Sequence, residues 1–326
     1  MGNAPVWDVL ARRSLAAALA FSLLAAGCAR TTLVLPVRIE PETLSAPAAI
    51  DSLADYESVV RSIAAVMVAE LGVPLPRQFT VFVCQTRAAY ERTLIREGRT
   101  PAARAAEIAQ YSVGLGQHQR LFIDDEGLRG APRTARLRIV AHELTHLAQY
   151  ELSDGRRGSS EQWLREGMAD WVAVRVLERL GEDMFFHQRD RALRTVARAL
   201  PRLEDKALDL VDLGRPLGWE ARHLRSGSQL TYQLAFLLTA DLIRQRGFES
   251  LIAYFRAFAH FDDRFGHFRR AFGLPVSEFE SRALRRIHDE LQRKVPASAG
   301  EPLGGPDAAA GARKRHEPEG NAGQRD

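Results

Sequence analysis

The chain has 326 residues, 45 Lys and Arg against 41 Asp and Glu, a formal net charge of +4 and a pI near 9.3. Its 46% hydrophobic and 26% charged residues are ordinary for a protein that buries a core, and the length allows one large domain or two small ones. The arginines are dispersed, with no basic run beyond Lys314-Arg315 and its neighbours and no aromatic-basic module. Nucleic acid is therefore not an expected partner, while mild attraction to anionic surfaces is.

Residues 1–27 read as an export signal. Arg12 and Arg13 give the positive start, and Ser14 to Ala26 is an apolar run too short for a typical spanning helix. The run ends in Leu24-Ala25-Ala26-Gly27-Cys28, which resembles a bacterial lipoprotein lipobox. Ala25 stands where that pattern prefers Leu, and Leu24 is one place further out. The resemblance implies cleavage before Cys28, lipid on that cysteine, and attachment to the membrane of the cell envelope. Non-acidic Ala29 points to the outer membrane, on its periplasmic side. An ordinary secretory signal is the other reading of the same run. With Cys28 acylated, Cys84 has no disulfide partner, and within Phe79 to Cys84 it reads as a small buried apolar residue.

Residues 28–49 hold three prolines and little periodicity and are expected to form a tether, with one folded domain over 50–295. Ile50 to Leu71 places Leu53, Tyr56, Val60, Ile63, Ala64 and Met67 on one helical stripe, and Pro74 and Pro76 lie beyond its end. Phe79 to Cys84 reads as a strand and Ala88 to Arg96 as a short helix. Gln110 to Asp125 is expected to be extended, with Arg120 to Asp124 as a strand after a polar turn.

After Gly130, Pro132 and Thr134, the residues Leu137, Val140, Ala141, Leu144 and Ala148 form an apolar helical stripe. His142 and His146 fall on the far side of that helix, in the H-E-x-x-H pattern Ala141-His142-Glu143-Leu144-Thr145-His146. Histidines four apart are separated by about 40° of turn, the spacing at which two imidazoles share one Zn²⁺. Glu143 lies about 100° round from His142 and can reach a metal-bound water without being a ligand. A loop from Ser153 to Ser160 follows, with Ser159 and Gln162 fitting a capping box for the next helix. In Trp163-Leu164-Arg165-Glu166-Gly167-Met168-Ala169-Asp170-Trp171, Glu166 and Asp170 share a face with Trp163, Val174 and Leu177. Packed against the first helix, this face would bring Glu166 to the metal, and Asp170 could accept the free ring N–H of a ligand histidine. Two solvent-facing histidines on an ordinary helix are the plainer reading, which leaves the second motif unexplained.

From Leu177 onward a helical pattern is broken at Gly181, Pro201, Gly214, Pro216 and Gly218. Phe265 to Leu291 reads as two short helices around Gly273 and Pro275, and residues 296–326 as a disordered tail. His260 and His267 read as surface or packing residues.

H-E-L-T-H followed by E-G-M-A-D resembles the gluzincin, thermolysin-like zinc metallopeptidases, and W-L-R-E-G-M-A-D-W looks most like their bacterial peptidase MA-like branch. The resemblance covers the middle and C-terminal part of the chain. It implies an α+β, zincin-like fold: a small N-terminal sheet with helices, a mainly helical C-terminal half, and a zinc cleft between them. It implies His142, His146 and Glu166 as zinc ligands, Glu143 as the base acting on a zinc-bound water, and Asp170 behind a ligand. A further match, Tyr232 to Leu238 with Arg246-Gly247, implies a helix across the cleft whose Tyr232 binds the oxyanion. Packing is the other role open to Tyr232, and His223 is a second donor candidate. In gluzincins the strand before the metal helix commonly carries substrate on its edge, and Arg120 to Asp124 is the candidate for that strand. The implied activity is hydrolysis of a peptide or protein substrate. The absence of G-x-M-E-N from the sequence argues for endopeptidase over aminopeptidase action. The rivals are a non-catalytic envelope lipoprotein using the fold as a binding module, against which intact Glu143 weighs, and a cell-wall peptide amidase.

Overall fold

The computed structural model describes residues 31–41, 44, 50–203 and 209–294. The export signal, Cys28 and the tail at 296–326 lie outside the described residues. The architecture is α+β. Strands β1 (Thr32–Arg38), β2 (Gln78–Cys84), β3 (Gly114–Gln117) and β4 (Arg120–Asp124) form one sheet in the order β1-β2-β4-β3. β1 and β2 are antiparallel, β2 and β4 parallel, and β3 and β4 antiparallel.

Two strand assignments differ from expectation. The stretch 28–49, expected as a tether, contains β1, paired with β2 from Thr32 opposite Cys84 to Arg38 opposite Gln78. Pro36 is tolerated there because an edge strand needs no donor on its outer side. Arg120 to Asp124, expected as the substrate edge, is an interior strand with β2 and β3 on its two sides. The edge belongs to β3, which turns back through His118-Gln119, with Gln119 in the left-handed region at φ 59°.

Period-two alternation splits the strand side chains between two cores. Phe79, Val81, Val83, Leu121 and Ile123 join the main core. Phe82, Cys84 and Phe122 face a smaller one, where the Phe82 and Phe122 rings stack at 5.0 Å. Helices α1 (Tyr56–Ala65, continued by a π turn over Val66–Glu70), α2 (Arg87–Arg96) and α3 (Ala102–Tyr111) flank the sheet. α1 starts later than its apolar stripe because Asp55 caps it, its carboxylate accepting from Ser58 N–H at 3.2 Å. α3 has no counterpart among the predicted elements and takes in Gln110 and Tyr111, expected to be extended. Its buried residues are two alanines, Ala105 and Ala109, so it carries no strong apolar period.

A single turn α4 (Asp125–Leu128) leads to α5 (Arg133–Leu152) and α6 (Gln162–Arg179), which pack along each other. Both are buried nearly all round in their central turns, so the histidine face of α5 is covered as well as its apolar stripe. The remaining helices are α7 (Phe185–Leu203), α8 (Leu210–Leu213), α9 (Pro216–Ser226), α10 (Ser228–Arg246), α11 (Phe248–Ala257), α12 (Arg264–Phe272) and α13 (Val276–Lys294). Gly181, Gly214 and Pro216 fall at helix boundaries as expected, whereas Pro201 and Gly218 lie inside α7 and α9. Gly218 is there for close packing: a Cβ on it would stand 2.1 Å from the Asp212 carbonyl oxygen. Among the described residues no helix is long and apolar enough to cross a membrane.

Candidate metal centre

α5 and α6 bring together the three side chains expected to bind metal. His142 Nε2 and His146 Nε2 are 3.2 Å apart, and Glu166 Oε2 lies 3.3 Å from the first and 3.6 Å from the second. The three atoms converge on one point, and the group could hold a metal ion.

The opposite ring nitrogens are both occupied. His142 Nδ1 lies 3.1 Å from Asp170 Oδ1, the partner expected from its place one turn beyond Glu166. Asp170 Oδ1 also takes Arg138 Nη2 at 3.0 Å. His146 Nδ1 lies 3.0 Å from Gln149 Oε1, while Gln149 Nε2 donates to the Arg165 carbonyl at 2.8 Å. That second bond sets the amide orientation, so Gln149 presents its oxygen to the ring. Each Nδ1 therefore carries a hydrogen, and each Nε2 faces the shared point, where a proton or a metal ion can be held.

The third donor is oriented in the same way. Gln162 Nε2 donates to Glu166 Oε1 at 2.8 Å, leaving Oε2 toward the histidines. The predicted capping box is not formed: Glu161 is the N-cap of α6, and Ser159 N–H and hydroxyl both donate to Asp262 Oδ1, at 2.7 and 2.6 Å. The start of α6 is pinned by other means. The fully buried Glu161 carboxylate accepts Arg264 Nε and Nη2 at 2.7 and 2.8 Å, and Glu161 N–H donates to Tyr254 Oη at 2.8 Å.

Electrostatics favour one positive charge at the focus. Burial alone would lower the His142 pKa, yet its bonds to Asp170 and Glu166, with Glu143 nearby, carry it up to about 10. Burial opposes ionisation of Glu166, but His146 and His142 hold it well below the usual carboxylate range. The cluster binds a proton strongly, and a metal ion satisfies the same demand.

Glu143 is not part of this triangle. Its Oε2 accepts the Gly116 N–H of β3 at 2.7 Å. β3 can come so close because it reads Gly114-Leu115-Gly116. A Cβ on Gly116 would stand 2.3 Å from Glu143 O and 2.9 Å from His146 Cβ, and one on Gly114 would stand 2.8 Å from Glu143 Cγ. Gly167, next to Glu166, does the same for α10: a Cβ there would lie 2.4 Å from Ala235 O.

No known protein family, characterised protein or solved structure matches the chain. Tyr232, on α10, has its ring 6.0 Å from that of His142, edge to face. His223, on α9, stacks on Tyr232 at 5.3 Å, and Trp219 meets Tyr232 edge-on at 5.3 Å. The two donor candidates thus stand side by side. Burial first, then Glu166, Asp170 and Glu143, push the Tyr232 phenol well above its usual range, so it keeps its proton. Burial lowers the His223 pKa, and its buried Nε2 has no hydrogen-bond partner among the described residues. His260 is exposed, and buried His267 bonds the Phe261 carbonyl at 2.8 Å, in keeping with surface and packing roles.

Gln149, Gln162, Arg138 and Gly116 escaped the motif. The three side chains do keep helical register with the ligands: Gln149 is three after His146, Gln162 four before Glu166, and Arg138 four before His142. Gly116 is tied to the site only by the fold.

Proposed function

We propose that the chain is a zinc-dependent hydrolase of peptide bonds in the zincin-like manner, acting as an endopeptidase at the cell envelope and anchored there through lipid on Cys28. The observation that carries the reading is the Nε2–Nε2–Oε2 triangle with both Nδ1 atoms engaged. Tetrahedral donors about 2.0–2.1 Å from zinc stand about 3.3–3.4 Å from one another. The edges of 3.2, 3.3 and 3.6 Å match one face of such a tetrahedron and leave its fourth corner for another ligand. Two neutral imidazoles and a carboxylate are also a donor set that zinc favours.

Zinc bound there would supply a Lewis acid that makes water acidic and polarises a substrate carbonyl. Glu143 takes the proton of the attacking water and returns it to the leaving amine. The Gly116 N–H holds Oε2 of that carboxylate and so sets its orientation. The protonated Tyr232 phenol donates to the carbonyl oxygen as it gains charge, with His223 packed behind it as a further donor. β3 is the outer strand beside Glu143, and an extended peptide that pairs along it would have to displace Glu143 from the Gly116 N–H or Ser112 Oγ from the Gly114 N–H.

Glu143→Gln tests this reading. It keeps the shape of the side chain and an oxygen for Gly116 N–H while removing the base. Zinc content and melting temperature should stay with the parent, and chelator-sensitive turnover of a peptide library should fall by about 10²–10⁴-fold. Equal turnover by parent and variant would refute the mechanism. A parent that binds zinc and cleaves nothing would favour the binding-module alternative.

A further inference from the structure

We propose that the open edge of the sheet, β1 together with the outer face of α2, rests on the lipid headgroups of the membrane that carries the chain. The inference rests on the proposed attachment at Cys28 and goes beyond it by assigning the surface that meets the bilayer.

Four residue steps separate Cys28 from Thr32, the first residue of β1. Fully extended, they span at most about 14 Å. An anchored Cys28 therefore keeps the start of β1 within that distance of the headgroups. This end of the sheet is suited to such a place. Leu33 and Val34 are 46% and 52% exposed on a strand with no neighbour on its outer side among the described residues. Edge strands facing water are ordinarily blunted by charge. The first two side chains after Thr32 are instead apolar.

α2 adds the charge. Thr32 Oγ1 lies 3.3 Å from Thr93 Oγ1, which places α2 against the start of β1. Val34, two residues on, projects from the same sheet face as Thr32. On α2 and the turn after it Ile95 is 37% exposed, and Arg92, Arg96 and Arg99 are exposed, with Glu97 the one exposed acid from 92 to 99. Val34 and Ile95 lie on the α2 side of the sheet with Arg92, Arg96 and Arg99, and exposed apolar side chains beside guanidinium groups fit the headgroup layer, where the former enter the acyl boundary and the latter meet phosphates.

The orientation bears on the reaction. β3, beside Glu143, is the opposite edge of the sheet, three strand spacings or about 14 Å from β1. With β1 on the headgroups, the metal centre stands off the bilayer and takes polypeptide from the aqueous side.

The test uses the full chain as processed in cells, purified from membranes and reconstituted in phosphatidylethanolamine–phosphatidylglycerol vesicles. A fluorophore is placed at Val34→Cys or, as a reference, at Leu224→Cys, a site 90% exposed on α9. The buried Cys84 does not compete for label. Brominated lipid should quench the Val34 label severalfold more than the Leu224 label. Arg92→Glu combined with Arg96→Glu should reduce that difference while zinc content stays unchanged. Equal quenching at both positions in protein that floats with the vesicles would overturn the inference and leave the anchor standing. Protein that does not float would overturn the anchor and the inference together. Contact between Val34 labels of two chains in lipid-free detergent would assign the edge to a second copy of the chain instead.

Discussion

Gly116 and Glu143 are joined across the boundary between sheet and helix: the Gly116 N–H donates to Glu143 Oε2 at 2.7 Å, and the glycine has no room for a side chain. The edge strand is thereby fastened to the carboxylate proposed as the base. Gly116→Ala would push a methyl group against Glu143 O and His146 Cβ. Overpacking of this kind costs about 1–3 kcal/mol. We expect a lower melting temperature together with reduced turnover, measured by thermal denaturation and a peptide assay. Unchanged values for both would show that β3 does not hold Glu143.

Asp170 and Gln149 hold the two histidine rings from behind, one for each ring. Loss of such a partner typically costs about 10–100-fold in metal affinity or activity. Asp170→Asn and Gln149→Leu should each weaken zinc binding within that range, read by competition with a chromophoric chelator. The double variant should be weaker than either, because the two act on different rings.

The Glu161–Arg264 pair anchors the helix that carries Glu166. Arg264→Met leaves a buried carboxylate unpaired, a change that costs about 3–5 kcal/mol. Burial already raises the Glu161 pKa, and without the guanidinium it rises further. The folded variant then holds that proton more tightly than the unfolded chain does. Its stability should fall as pH rises from the unfolded carboxylate value through the raised folded one, and part of the loss should return in acid. Chemical denaturation at acidic and neutral pH measures this. Glu161→Gln in the same chain should restore stability at neutral pH.

Cys28→Ser addresses the anchor. If the cysteine carries lipid, the variant should leave the membrane fraction on cell fractionation while keeping its zinc content. A variant that stays with the membrane as before would mean that attachment does not run through Cys28.

What the sequence determined by itself is local. Spacing of four along one helix places both imidazoles on the same side of α5, and the same spacing puts Asp170 one turn from Glu166, so these four could be named without a fold. Helical geometry is so regular that register alone carries the inference. The run of aromatic and β-branched residues in Phe79 to Cys84 likewise announces a strand. The tertiary structure decided what register leaves open. The choice of β3 over β4 as the outer strand depends on which strand pairs with β2, a contact between distant segments. β1 was hidden because Pro36 and a short apolar run look like a linker until β2 supplies the missing partners. Gly116 reaches Glu143 across 27 residues, and Glu161 finds Arg264 across 103. Such pairings are made by packing, in which each helix or strand takes its place from the shape of its neighbours, and no spacing within a single element encodes them.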